Sequence, residues 1–212
     1  MHLIGLTGGI ASGKSTVSKM LTQLGAFIVD ADKISREVVM PGKPVWQKIV
    51  DRFGTTIANQ QGEIDRKQLG KIIFSDSKAK ADLEKITHPY IEESANLAIA
   101  DAEKRGYDTI VLDAPLLIEV GWHTKVDVVW VVFVDEQTQR NRLMARDNIS
   151  CEDAAVRINA QLALRQKLRY ADVVIDNTEN IEKTHQQVIQ AWQKLHDKVD
   201  LASDGVLTPP EG

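Results

Sequence analysis

The chain has 212 residues, a formal net charge of −4 at pH 7 and a single cysteine, Cys151. This length predicts one α/β core that carries insertions, and the acidic balance argues against a general nucleic-acid-binding surface. One cysteine excludes an intrachain disulfide and a cysteine-rich zinc site, and it is typical of a protein in a reducing cytoplasm, which is the location we expect.

A phosphate-binding motif follows the first predicted strand. Residues 8–15 read GGIASGKS, a complete G-x-x-x-x-G-K-[ST] loop, between an apolar run at 3–6 and a helical pattern that starts near Val17. In such loops the backbone N–H groups surround phosphate oxygens, Lys14 would reach the terminal phosphates, and the Ser15 hydroxyl would bind Mg²⁺. A glycine-rich turn without a ligand is the alternative, and the agreement of both flanks argues against it.

The second apolar run, residues 26–29, is followed by two carboxylates, Asp30 and Asp32. Ligands of open parallel sheets bind beyond the carboxyl ends of the strands, which predicts that these groups lie near the phosphate loop. Asp32 fits two roles equally well: it accepts a hydrogen bond from a substrate hydroxyl, or it caps the helix that follows. Asp30 is interpreted as the more structural of the two.

Residues 33–105 are predicted to be mainly helical, because their apolar residues keep helical spacing and no β-rich run interrupts them. A turn is predicted at 41–44, and the His88-Pro89 pair is predicted to end one helix.

The third strand, 109–112, leads into Asp113, which is either a Mg²⁺ ligand or a turn residue at the end of the strand. Glu119 faces either the same cleft or solvent, and the pattern leaves both open.

Two further strands are predicted at 128–134 and 173–175. The five apolar runs do not alternate with polar residues, which is typical of a parallel sheet covered by helices on both faces. The longest apolar run, 126–134, is too short to cross a bilayer, so no membrane association is expected; no signal peptide is expected, because a core strand begins at residue 3. Ser150 and Asp153 are predicted to cap a helix that runs toward Tyr170, and residues 201–212 to fray.

Arginines cluster after the fourth strand. Arg142 and Arg146 are four residues apart, so a helix would place both on one face. Two guanidinium groups directed at one point would offset the charge on transferring phosphoryl oxygens. Pairing with Glu136, Asp147 and Glu152 on a solvated helix face is the alternative, and it is favoured for any single arginine.

Together these elements resemble the dephospho-CoA kinase family from about residue 3 to residue 177. The phosphate loop alone is generic, whereas the Asp-Ala-Asp, His-Pro and Pro-Leu-Leu-x-Glu elements in this order are specific. One mild departure is Ala11, at a position where the family often has glycine; a small residue still fits there. The matching elements are residues 5–16, residues 30–32 with Arg36, residues 83–89, residues 115–119, Gln139, Arg142, Arg146, Asp147, Arg157, Ile158 and Gln161, and Ala171, Asp172 and residues 175–177.

The resemblance implies a P-loop NTPase fold like that of nucleoside-monophosphate kinases, with a five-stranded parallel sheet, a helical insertion for the coenzyme A precursor and a short lid. On this basis residues 1–200 form one kinase domain, with the core at 1–32, 106–135 and 171–200, the insertion at 33–105, the lid at 136–165 and a flexible tail at 201–212. It implies ATP as phosphoryl donor, Mg²⁺ as cofactor, and the ribose 3′-hydroxyl of dephospho-CoA as acceptor.

The resemblance also implies roles for individual residues. Catalysis is assigned to Asp32, Lys14, Arg142 and Arg146, and metal binding to Ser15 and Asp113. ATP binding is assigned to Gly9, Ala11, Ser12, Gly13, Lys14, Ser15, Thr16 and Asn177, with Asn177 beside the adenine. Substrate binding is assigned to Thr7, Asp32, Arg36, His88, Pro115, Leu116 and Glu119.

Two rival functions remain at this point. The first is another small-molecule kinase with the same core, acting on a nucleoside monophosphate or a sugar acid. The second is a nucleotide-dependent switch or binding module, which predicts slow ATP hydrolysis and a protein partner. The set of acceptor and charge-stabilising residues argues against the switch, and we expect no obligate protein partner and no nucleic acid.

Overall fold

The computed structural model describes residues 1–203, and it describes side chains for residues 1–197. Its five strands form a parallel sheet in the order β2-β3-β1-β4-β5. This confirms the predicted parallel sheet. It also confirms the five predicted strands, whose first and last residues differ from the predicted ones by at most two positions. The strands are β1 (His2–Gly8), β2 (Phe27–Asp30), β3 (Thr109–Asp113), β4 (Val128–Phe133) and β5 (Val173–Asp176).

Helices connect the strands, as expected for parallel β-α-β units. The final helix extends to Ser203, so residues 201–203 of the predicted tail are helical, and residues 204–212 lie outside the described residues. The α-helices are α1 (Lys14–Gln23), α2 (Ala31–Glu37), α3 (Pro44–Phe53), α4 (Arg66–Ser75), α5 (Ser77–Lys104), α6 (Glu136–Asp147), α7 (Cys151–Asn159), α8 (Leu164–Lys167) and α9 (Ile181–Ser203).

The chain divides into two compact units. The first contains Met1 and Phe27–Ala114, and the second contains His2–Ala26 and, of the described residues, 115–203. The first unit joins β2 and β3 to α2–α5, and its helical part encloses a small apolar core of Val45, Ile49, Ile57 and Leu69. The segment predicted to be helical, 33–105, lies inside this unit and is mainly helical.

The second unit is built on β1, β4 and β5. Strands β1 and β4 bury side chains on consecutive positions; Ile4, Leu6, Val131 and Val132 have no exposed surface. Burial on both faces of the sheet explains why these strands lack polar alternation. Helix α1 packs on β1 and α9, and α9 packs on β5. In the described part of the chain, no helix combines the length and apolar character needed to span a bilayer.

Two predicted helix boundaries are wrong. Helix α5 continues through His88 and Pro89 instead of ending there. Proline removes one helical hydrogen bond, but α5 packs against α2, α3, α4 and both strands of its unit, and this packing outweighs the local loss. The helix capped by Ser150 ends at Asn159, well before Tyr170, although its capping is confirmed: the Asp153 N–H donates to Ser150 Oγ at 3.1 Å.

Candidate functional site

The phosphate loop of the second unit lies between the end of β1 at Gly8 and the start of α1 at Lys14. The backbone is left-handed at Ala11 (φ 59°) and at Gly13 (φ 90°), so the chain turns sharply enough to direct N–H groups inward. Gly13 is the N-cap of α1; among the described residues no side chain caps this end, and its first turn contains no acidic residue. The helix N-terminus therefore suits an anion such as ATP phosphate.

Two glutamines hold the middle of this loop. The Ile10 N–H donates to Gln161 Oε1 at 2.8 Å, and Gln139 Nε2 donates to the Ile10 carbonyl at 2.9 Å. Gln139 is buried on α6, whereas Gln161 lies between α7 and α8. Because side chains hold both backbone polar groups of Ile10, this part of the loop has a defined conformation before any ligand binds. The sequence contained both glutamines, yet no pattern assigned them this role.

Asn177, just after β5, supports the far end of the loop. Its Nδ2 donates to the Ser12 carbonyl at 2.8 Å, and its Oδ1 accepts a hydrogen bond from the Thr184 hydroxyl at 2.8 Å. Its own backbone carbonyl accepts from Arg142 Nη1 at 2.8 Å. The Asn177 amide is thus engaged in bonds that brace the phosphate loop, and its contact with the adenine stays a prediction.

Gly13→Ala is expected to disable this loop. An added Cβ would lie 2.0 Å from Asn177 Nδ2, which would displace the Asn177 brace. We expect ATP affinity to fall about 100-fold, as for the loss of roughly 2–3 kcal/mol of binding energy. Gly25→Ala is the matched control: it has a similar φ of 101° but nothing within 4 Å of the added Cβ. Unchanged ATP affinity of Gly13→Ala in an equilibrium titration would contradict this account of the loop.

A buried cation that no sequence pattern indicated lies in the same unit. Lys167 has no exposed surface, and its Nζ binds both the Pro115 carbonyl and the Glu119 carboxylate. Burial lowers the pKa of Lys167; Glu119 counteracts this effect and Lys14 adds to it. The buried Thr7 hydroxyl also donates to the Pro115 carbonyl, at 3.0 Å. Three residues predicted to bind substrate, Thr7, Pro115 and Glu119, therefore belong to one hydrogen-bonded cluster, and the fourth from this region, Leu116, is exposed.

The predicted arginine pair lies on α6, as the i, i+4 spacing requires. Arg142 is partly buried and holds the Asn177 carbonyl. Arg146 is exposed and pairs with Asp147, whose second oxygen lies 2.6 Å from Arg157. The hydrogen bond from Arg146, with help from Arg157, lowers the pKa of Asp147. Arg146 therefore pairs with Asp147, as the alternative of a solvated helix face expects. Arg142 and Arg146 nevertheless lie on the same face of α6, as predicted.

In the first unit, three carboxylates lie at or just after the ends of β2 and β3. Asp30 is the N-cap of α2 and accepts a hydrogen bond from the Lys33 N–H at 2.9 Å, which confirms its structural role. Asp32 is therefore not the cap; it is exposed in the first turn of α2. Asp113, the last residue of β3, is buried and lies opposite Asp30 in the strand register. Arg36 is exposed one turn after Asp32.

His88 lies on the surface of α5 and is partly buried. It lines an open groove of about 560 Å³ together with Pro89, Glu92, Glu93, Asn96 and Leu97. This position differs from the predicted one, in which His88 stood at a helix end. Its role in substrate binding stays a prediction.

The residues predicted to bind Mg²⁺ are of the right chemical type. Ser15 is exposed in the first turn of α1, and Asp113 offers a carboxylate at a strand end. Mg²⁺ prefers oxygen ligands and usually binds one or two protein groups together with substrate phosphates. Among the described residues no cluster of three or more His, Cys, Asp or Glu side chains forms a separate metal site.

Comparison with known proteins gives a consistent result. A family model described as dephospho-CoA kinase matches residues 2–183. Dephospho-CoA kinases from Carboxydothermus hydrogenoformans and Geobacter sulfurreducens are each 48% identical over 194 residues, covering 92% of this chain and 94% and 98% of the relatives. The solved dephospho-CoA kinase from Campylobacter jejuni has a TM-score of 0.68 at 30% identity, covering 91% of this chain and 96% of that chain. The similarity thus extends far beyond the phosphate loop.

Proposed function

The chain belongs to the dephospho-CoA kinase family, and from this premise we infer that it transfers the γ-phosphoryl group of ATP to the ribose 3′-hydroxyl of dephospho-CoA. The products are coenzyme A and ADP, and the reaction is the last step of coenzyme A biosynthesis. The match across residues 2–183 carries this conclusion, because it includes the acceptor elements as well as the loop. We also propose a cytoplasmic location for the protein, because a chain with a single cysteine suits a reducing compartment.

The donor is held by the phosphate loop in this proposal. Lys14 contacts the β- and γ-phosphates, and the residues around it supply backbone N–H groups at the N-terminus of α1. The loop is already braced at Ile10 and Ser12, so little reorganisation is needed when ATP binds. The residues assigned to ATP are Gly9, Ala11, Ser12, Gly13, Lys14, Ser15, Thr16 and Asn177.

We propose Ser15 and Asp113 as the groups that hold Mg²⁺. The metal supplies charge neutralisation on the phosphate oxygens when bound. Ser15 offers a hydroxyl directly after Lys14, and Asp113 a carboxylate at the end of β3. Activity is expected to require a divalent cation.

Asp32 is proposed to accept the hydrogen bond of the 3′-hydroxyl and to orient its oxygen for attack. The loose transition state of phosphoryl transfer makes the placement of this carboxylate more important than its basicity. The capping role at the start of α2 belongs to Asp30 and not to Asp32, which supports a different role for Asp32. Other residues proposed to bind dephospho-CoA are Thr7, Arg36, His88, Pro115, Leu116 and Glu119.

Replacing Arg142 and Arg146 together by methionine is expected to lower kcat about 10³-fold or more, because guanidinium groups stabilise charge on the transferring phosphoryl oxygens. ATP affinity should change much less. Arg105→Met, which removes an exposed arginine paired with Asp101 at the end of α5, is the control. Steady-state kinetics and an ATP titration separate the two effects, and an unchanged kcat would show that neither Arg142 nor Arg146 stabilises the transferring phosphoryl group.

The proposed reaction is tested by incubating the protein with ATP, Mg²⁺ and dephospho-CoA and measuring product masses. We expect the acceptor to gain one phosphoryl group, and an analogue that lacks the 3′-hydroxyl to gain none. Phosphorylation of a nucleoside monophosphate or a sugar acid instead would identify the rival kinase. ATP hydrolysis without any phosphorylated acceptor would favour the nucleotide switch.

A further inference from the structure

Lys167, the last residue of α8, is completely buried. Its Nζ donates to the Pro115 carbonyl at 2.5 Å and lies 2.9 and 3.0 Å from the two carboxylate oxygens of Glu119. An ammonium group has three donors, and a buried one needs an acceptor for each. The three acceptors are present here, so each donor of an ammonium group has a partner and the group is held in one position. None of the roles assigned above uses it.

Two further hydrogen bonds connect this ion pair to the phosphate loop. The Leu162 N–H donates to Glu119 Oε1 at 3.0 Å. The preceding residue, Gln161, accepts the hydrogen bond from the Ile10 N–H of the loop at 2.8 Å. Residues 161 and 162 are adjacent. The Glu119 carboxylate that holds the Leu162 N–H therefore also restrains the backbone from which the Gln161 side chain extends to the loop.

Side-chain packing joins the same segment to the loop at a second point. A Cβ added at Gly9 would lie 2.6 Å from Gln139 Nε2 and 3.0 Å from Leu164 Cγ, so the loop packs closely on the start of α8. Lys167 is on this short helix with Leu164. A shift of α8 would therefore reach the loop through Gly9 as well as through Ile10.

We propose that Lys167 is a positioning residue for the phosphate loop: together with Glu119 it holds residues 161–164 against Ile10 and Gly9, and so keeps the loop in the conformation that binds ATP. The inference rests on the proposed function, since it assumes that ATP is the ligand of this loop. In this proposal Glu119 positions the phosphate loop indirectly, through its contacts with Lys167 and with the Leu162 N–H.

The test measures the ATP dissociation constant of the full chain by equilibrium titration, with no acceptor present. Lys167→Met keeps the apolar stem of the side chain but removes its charge, and we expect affinity to fall about tenfold, within the range found for coupled neighbours. Lys167→Arg should restore most of the affinity, because a guanidinium also supplies several donors to a carboxylate. Lys183→Met, which removes an exposed lysine paired with Glu179 in the same unit, should leave affinity unchanged.

A double-mutant cycle then asks whether Lys167 acts through Gln161. Gln161→Leu removes the acceptor for Ile10 directly and should weaken ATP binding by a similar factor. If both residues act along one chain of contacts, combining the two substitutions should add little to either alone. Independent, additive losses would overturn the proposal.

A purely structural role predicts a different outcome: the melting temperature of Lys167→Met falls while ATP affinity stays at the wild-type value at a temperature where the variant is folded. That result would overturn the proposal. If Lys167→Met does not fold, the Lys167→Met/Glu119→Gln variant avoids an uncompensated carboxylate and must show the same loss of affinity. Failure of the wild-type protein to phosphorylate dephospho-CoA would refute the proposed function separately, because the ATP titration uses no acceptor.

Discussion

Lys14→Ala is expected to lower the rate of phosphoryl transfer about 10³-fold or more, because the lysine of a phosphate loop stabilises charge on the β- and γ-phosphates in the transition state. The substitution removes the ammonium group and leaves the N-cap at Gly13 unchanged. The rate is measured as coenzyme A formed from ATP and dephospho-CoA under saturating conditions.

Lys19→Ala is the matched control for this prediction. Lys19 lies on the same helix, α1, and its side chain is exposed. Both substitutions exchange the same residue types and change the net charge equally, so a difference in turnover between them reports the position of the ammonium group. Near-normal turnover of Lys14→Ala would show that this loop does not hold the transferring phosphate.

The strands were predictable because local composition decides them. Each contains a run of consecutive apolar residues without polar alternation, which is the pattern expected of strands in a parallel sheet covered on both faces. The phosphate loop was predictable for a related reason: its glycines, Lys14 and Ser15 occur at a fixed spacing between a strand and a helix. In both cases the determinants are adjacent in sequence.

Helix α5 shows where local signals fail. Pro89 removes a hydrogen bond within the helix, and the sequence rule places a boundary at that point. The helix continues because residues on both sides of Pro89 pack against the rest of their unit, as Ile86 and Tyr90 do on the apolar core around Ile49. These contacts join residues far apart in the chain, so no window of sequence around Pro89 contains them.

The support of the phosphate loop was hidden for the same reason. Gln139, Gln161, Lys167 and Asn177 reach the loop or its neighbours from segments more than 100 residues away from Ile10 and Ser12. Lys167 in particular is a lysine in a polar stretch, and such a residue is normally exposed. Only the fold shows that this lysine is buried against Glu119.

The two aspartates at the end of β2 and the start of α2 illustrate what a structure adds to a motif. From sequence, either role suited Asp32, since helix caps and substrate-orienting carboxylates occupy similar positions. The structure gives the capping role to Asp30, through its bond with the Lys33 N–H, and leaves Asp32 exposed in the first helical turn. A substitution at each position therefore tests a different role.

Asp32→Asn is expected to lower kcat by about 10²–10⁴-fold, the usual contribution of a group that accepts a proton from the attacking hydroxyl. The amide keeps the size of the side chain but lacks the charge that orients the hydroxyl and takes up its proton. ATP affinity should stay close to the wild-type value. Asp30→Asn introduces the same change two residues earlier, and because asparagine caps helices as well as aspartate does, we expect little loss of turnover. Kinetics with varied dephospho-CoA and an ATP titration distinguish these outcomes: if Asp32→Asn weakens ATP binding while turnover per bound ATP persists, Asp32 is structural and the proposed acceptor chemistry is wrong.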